Sequence, residues 1–141
     1  MKKQVLILNG PNLNLLGIRE PEIYGRQTFE VFFGQLVTKY SEVNLVYFQS
    51  NHEGALIDKL QEVGFSFDGI IFNPGGYTHT SIALADTVSA IVSPVIEVHI
   101  SNIYERESFR HHSYIKDVAH SSIIGKGLAG YEEAIDILLE L

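Results

Sequence analysis

Five short, mostly apolar runs, each ending in polar residues and followed by a helical or irregular stretch, constrain this chain more than any other feature. They occupy residues 5–8, 45–48, 70–72, 95–98 and 122–124. Runs of this length bounded by turn formers read as strands buried on both faces. Between them, Phe29, Phe32, Phe33, Leu36, Val37 and Tyr40 recur at helical spacing behind a Thr28 cap. Ala55, Leu56, Leu60 and Val63 predict a second helix stopped by Gly64. Ile82, Leu84, Ala85 and Val88 predict a third behind a Ser81 cap, and residues 131–141 a closing amphipathic one. Strands alternating with helices demand a parallel sheet with right-handed crossovers. At 141 residues the expectation is one α/β domain spanning 1–141. Its expected form is a flavodoxin-like three-layer sandwich with a five-stranded parallel sheet of order 2-1-3-4-5.

In such sheets ligands bind beyond the carboxyl ends of the strands, where the strand order reverses between strands 1 and 3. The polar clusters sit at those ends. Strand 1 runs into Asn9-Gly10-Pro11-Asn12-Leu13-Asn14 and a loop reaching Gly25; strand 3 runs into Asn73-Pro74-Gly75-Gly76; strand 4 runs into His99-Ile100-Ser101-Asn102. A loop of nearly twenty residues in a small domain is unusual and points to function. Leu13, Leu15, Leu16, Ile18 and Ile23 supply apolar anchors, so the loop is read as an ordered but partly mobile lid over the site. A second irregular segment runs from 103 to 117.

Composition narrows the chemistry. A net charge of −7 argues against nucleic acid as the main partner, and no apolar run approaches a membrane span. No signal peptide precedes Val5, and with no cysteine the chain has neither disulfides, thiolate nucleophiles nor zinc–thiolate sites, which fits a cytoplasmic location. All four arginines, Arg19, Arg26, Arg106 and Arg110, fall in the two irregular segments. Arginine suits two-point contact with a carboxylate, so a small anion is expected there.

The crevice would gather Asn12, Arg19, Tyr24, Asn73, His79, His99, Ser101 and Arg110. No metal-ligand spacing, nucleophile elbow or phosphate-binding glycine loop accompanies them. Tyrosine, histidine, arginine and amides suit proton transfer beside a carbonyl: a base, an acid, donors for an enolate and an anchor for an anion. Each residue alone also has a structural reading: Tyr24 as a turn residue, Asn12 and Asn73 as turn caps, His99 as a satisfied strand-end histidine. Arg19, in the same loop as Tyr24, favours a tyrosinate. Strand alternation puts Glu97, His99 and Ser101 on one face, where the carboxylate can orient the imidazole and favour its acid form. On residues alone, a flavodoxin-like ligand-binding module and a lyase acting on another small ketone stay open. The loop after strand 1 lacks a flavodoxin's Ser/Thr/Gly character, and Asn73 stands where a phosphoacceptor domain needs aspartate.

Several segments resemble type II 3-dehydroquinase, in that family's order along essentially the whole chain. They are Asn9 to Gly17 with Arg19 and Tyr24-Gly25; Ser50-Asn51-His52-Glu53-Gly54; Asn73 to Ser81; Glu97 to Asn102; Phe109 to Ser113; and Gly125 to Tyr131. Gly76 and Ala85 depart from the pattern, where alanine and a basic residue are more usual. The resemblance implies a hydro-lyase of the shikimate pathway of aromatic amino acid biosynthesis. It would convert 3-dehydroquinate to 3-dehydroshikimate by anti elimination through an enolate, with no cofactor, metal or Schiff base. Tyr24 then resembles the base, Arg19 the lid arginine stabilising it, Asn12 the residue holding a water near the enolate oxygen, and His99 the acid. Asn73, His79, Ile100, Ser101 and Arg110 resemble the substrate-binding set, Ile100 through its backbone. Asp86 resembles a residue reaching a neighbouring subunit's site. The implied assembly is a homododecamer, a tetramer of trimers.

Overall fold

The computed structural model describes residues 1–24 and 26–141, the side chains of Ile23 and Tyr24 excepted. Its strands are β1 (Lys3–Asn9), β2 (Val43–Gln49), β3 (Gly69–Asn73), β4 (Val95–His99) and β5 (Ser121–Ile124). All pair in parallel, in the order β2-β1-β3-β4-β5, as expected from the alternation of strands and helices. The helices are α1 (Pro21–Tyr24), α2 (Phe29–Lys39), α3 (Glu53–Val63), α4 (Ile82–Ala90) and α5 (Ala129–Leu139).

Strand alternation sorts the core into two layers. Val5, Ile7, Ile71, Ile96 and Val98 pack with Phe29, Phe32 and Leu36 of α2 and Tyr131, Ala134, Ile135 and Leu138 of α5. Leu6, Leu8, Ile70, Phe72 and Val95 pack with Leu56, Leu60 and Val63 of α3 and Leu84 and Val88 of α4. The same alternation decides where the polar ends of the strands point. Asn9 and Asn73 are register partners across β1 and β3 and continue the face toward α5, whereas Glu97 lies on the face toward α4.

Both expected caps form: Thr28 Oγ1 accepts from Val31 N–H at 3.3 Å and Ser81 Oγ from Leu84 N–H at 2.9 Å. Gly64 stops α3 by a different route from the left-handed turn usual for a C-terminal glycine. Its φ is −66°, and it is glycine for close packing, since a Cβ there would stand 2.5 Å from Ile91 Cγ2. The lid departs from the sequence reading in two ways. It contains a 3-10 turn at Leu13–Leu15 and the one-turn α1, which starts at Pro21, a residue suited to a first helical position. Of its anchors, Leu13 and Leu16 are buried, but Leu15 is 38% and Ile18 75% exposed.

Candidate active site

The carboxyl ends of β1 and β3 meet backbone to backbone. Gly10 N–H donates to the Asn73 carbonyl at 2.8 Å, and Ser50 N–H to the Asn9 carbonyl at 3.1 Å. A Cβ on Gly10 would lie 2.5 Å from the Pro74 carbonyl oxygen, so no other residue fits. Gly75 has φ +61°, and a Cβ there would lie 3.0 Å from the Pro11 carbonyl oxygen. Asn12 adopts a left-handed φ of 70°, which asparagine tolerates better than most residues. Its N–H donates to Asn51 Oδ1 at 3.0 Å, and Gln49 Nε2 donates to Asn51 Oδ1 at 3.2 Å and to the Gly10 carbonyl at 3.1 Å.

Above this floor is a cavity of about 180 Å³, small beside the ~300–1,000 Å³ of sites for drug-sized ligands. It is a space for a compact polar metabolite. The cavity brings together eight of the expected residues: Asn12, Arg19, Asn73, His79, His99, Ile100, Ser101 and Arg110. The Tyr24 side chain lies outside the described residues. Asp86 sits on the exposed side of α4 and is absent from the cavity wall of its own chain.

His99 is held by a buried carboxylate. Glu97 Oε2 lies 2.6 Å from His99 Nε2 and accepts from Thr78 Oγ1 at 2.7 Å and Ser113 Oγ at 2.5 Å, while Oε1 accepts from Ser122 Oγ at 2.6 Å. Ser122 is Glu97's register partner on β5. With Nε2 on Glu97, Nδ1 is the His99 nitrogen available to a ligand. Burial pushes the Glu97 carboxyl upward, but the bond and charge of His99 with the Ser113 and Ser122 hydroxyls outweigh it and bring it down to about 2. A folded-state value below the ordinary 4.5 stabilises the fold above pH 4.5 and withdraws that stability as pH falls toward about 2, on the order of 3 kcal/mol. In urea titrations the stability gap between wild type and Glu97→Gln is therefore expected to be wide above about pH 5 and to close toward about pH 2. A gap independent of pH would contradict this account.

His79 has the opposite character. Burial first, then the charges of His99 and Arg110, lower its pKa against the bond to the His112 carbonyl, so it is held neutral. That carbonyl lies 2.8 Å from Nδ1 and only accepts. Nδ1 therefore carries the proton, and Nε2 is an acceptor.

Three of the four arginines converge as the two irregular segments predict, whereas Arg26 is absent from the cavity wall. Arg19, Arg106 and Arg110 all line the cavity. Glu20 Oε2 stands 3.4 Å from Arg19 and 3.8 Å from Arg106, joining the lid to the second segment, and Arg110 Nε donates to Glu107 at 2.5 Å. No lysine lines the cavity among the described residues, and these contain no cluster of three or more metal-ligating side chains. None of the described helices is long and apolar enough to cross a membrane.

Sequence reasoning gave Tyr131 no role in the site, only a place in the closing helix and at the end of the Gly125 to Tyr131 segment. Its buried hydroxyl donates to Asn9 Oδ1 at 2.8 Å and accepts from Asn73 Nδ2 at 2.9 Å. It also missed Asn51 and the three hydroxyls around Glu97. The hint was present for Ser122, because parallel pairing puts a β5 residue beside every inward β4 residue.

Comparison with known proteins agrees along the whole chain. Residues 3–139 match the family model described as dehydroquinase class II. The 3-dehydroquinate dehydratase of Anoxybacillus flavithermus is 53% identical over 138 residues, covering 96% of this chain and 93% of that protein. The catabolic 3-dehydroquinase of Phaeosphaeria nodorum is 49% identical over 138 residues, covering 96% and 91%. The crystal structure of the type II dehydroquinase from Butyrivibrio crossotus superposes with a TM-score of 0.94 at 47% identity, covering 98% of each chain. A cavity of arginines, amides and a carboxylate-held histidine at the sheet's switch point thus coincides with full-length similarity, and the chain belongs to the class II dehydroquinase family.

Proposed function

We infer that the chain is a hydro-lyase of the shikimate pathway that dehydrates 3-dehydroquinate to 3-dehydroshikimate by anti elimination through an enolate. The observation that carries this reading is the cavity that unites Arg19, Arg106 and Arg110 with His99 on its buried carboxylate. Tyr24, as tyrosinate, takes a proton from C2. The electron pair passes into the ketone as an enolate, near which Asn12 holds a water. His99 Nδ1 then protonates the hydroxyl leaving C1, which departs as water as the enolate collapses to the enone. The arginines surround the substrate's negative charge. Asn73 offers it a donor, His79 an acceptor, and Ile100 and Ser101 close the wall. The chain works as one domain, in the cytoplasm, and takes no cofactor.

The test is appearance of the ultraviolet band of a conjugated enone on mixing with 3-dehydroquinate; its absence would assign the site to a different ketone. The reaction is expected to proceed without added cofactor and to survive a metal chelator. Borohydride added with substrate should leave the protein active. A trapped substrate–lysine adduct, or loss of activity on chelation, would remove the enolate route without metal or Schiff base.

The assembly we propose is a dodecamer, a tetramer of trimers, in which Asp86 completes the cavity of a neighbouring subunit. Its exposure on α4, away from its own cavity, supports this. Light scattering should find no fully active monomer, and Asp86→Ala should raise KM or lower kcat. Unchanged kinetics would reduce Asp86 to a surface charge.

A further inference from the structure

We infer that Tyr131 is a positioning residue for the substrate, acting through Asn73: its hydroxyl sets which end of the Asn73 amide the cavity presents. The inference rests on the reading of Asn73 as a substrate-binding residue.

The argument is one of direction. A backbone N–H can only donate, and Gly75 N–H lies 3.1 Å from Asn73 Oδ1. That contact fixes the oxygen end of the amide. The nitrogen end then meets the Tyr131 hydroxyl at 2.9 Å and donates to it, so the single phenolic proton goes onward to Asn9 Oδ1 at 2.8 Å. Three hydrogen bonds therefore run one way, from the turn after β3 through α5 to the end of β1. Reversing the Asn73 amide would set its NH₂ against the Gly75 N–H and its oxygen against a hydroxyl whose proton is already engaged.

Burial holds the Asn73 amide to these partners. Asn9 and Tyr131 are fully buried and Asn73 nearly so, so water does not compete. The Tyr131 ring meets Phe29 and Phe32 edge-on, with centroids 5.0 and 6.0 Å away, which prevents the hydroxyl from swinging aside. Asn73 spends Oδ1 on Gly75 and one Nδ2 hydrogen on Tyr131. The second Nδ2 hydrogen is left as its donor to the cavity. With His79 Nε2 as an acceptor, the two side chains select a ligand that offers an acceptor to one and a hydroxyl to the other. A hydroxylated keto acid meets that requirement.

The experiment is a double-mutant cycle on the full-length enzyme, comparing Tyr131→Phe, Asn73→Ala and the pair, with kcat and KM for 3-dehydroquinate and the melting temperature of each. Phenylalanine keeps the ring packing and removes only the hydroxyl. Tyr131→Phe is expected to lower kcat/KM by about 10-fold, chiefly through KM. In the Asn73→Ala background the same change should cost less than about 2-fold, because the route it acts by is gone. A merely structural tyrosine would lower the melting temperature in both backgrounds without this coupling in the kinetics. Effects that multiply in full, or a folded Tyr131→Phe with wild-type KM, overturn the inference while leaving Asn73 in place. An Asn73→Ala enzyme with wild-type kinetics overturns the substrate-binding role itself, and the inference with it. If Tyr131→Phe does not fold, Asn9→Ala takes its place in the cycle, since it leaves the hydroxyl without its fixed acceptor and must show the same coupling.

Discussion

Tyr24→Phe is expected to bind 3-dehydroquinate almost normally and to lose both elimination and exchange of the C2 proton with solvent. General base catalysis typically contributes ~10²–10⁴-fold, and the loss should be at least of that order. An ordinary phenol ionises near pH 10, so a tyrosinate near neutrality needs help of a few pH units, each about 1.36 kcal/mol. A guanidinium about 4 Å away supplies roughly 4 kcal/mol at an effective dielectric near 20, and desolvation consumes part of that. One arginine is barely sufficient. The cavity wall holds Arg106 and Arg110 besides Arg19, which gives the additional positive field a source. Arg19→Ala should accordingly move the acidic limb of the pH–rate profile, which reports ionisation of the base, to higher pH and recover part of its activity at alkaline pH. Exchange near the wild-type rate in Tyr24→Phe would mean that a different group takes the proton.

His99→Ala should impair departure of the hydroxyl more than removal of the proton, with turnover falling ~10²–10⁴-fold. On the proposed mechanism the two half-reactions use different groups, and with Glu97 on Nε2 it is Nδ1 that would serve the leaving group. The variant should therefore still exchange the C2 proton, measured as deuterium uptake by unreacted substrate. Exchange and elimination falling together to background would make His99 something other than the acid. The variant also removes a partner from a buried carboxylate that keeps three hydroxyl donors, Thr78, Ser113 and Ser122. Its melting temperature must accompany its kinetics.

The sheet order is legible in the sequence because each strand is buried on both faces and so appears as an uninterrupted apolar run. The positions of the site loops follow from the strand ends. Legibility fails where a local signal is too short or too ambiguous. Four residues of α1 carry no helical period, and Gly64 meets a packing requirement that looks like a chain-terminating one. Ile18 reads as an anchor on hydrophobicity alone but lies exposed. In the site, Glu97 beside His99 is visible through strand alternation. Its donors Thr78 and Ser113 come from separate segments brought in by the fold and form no pattern along the chain. Tyr131 is hidden for a related reason. An aromatic residue on an amphipathic helix looks like core, and only the register pairing of Asn9 with Asn73 puts two amides under its hydroxyl.

The contact between Gly10 and Pro74 bears on how such a site changes over generations. Where two loops touch through main-chain atoms, a side chain added to either must push the other aside, and there is no small step by which the floor can be reshaped. Variation is instead directed upward, into the lid and the segment after β4, where Arg19, Glu20 and Arg106 meet through long side chains that tolerate gradual adjustment. Descendants of this chain that take a new substrate should differ around that rim while keeping Gly10 and Gly75 beneath it.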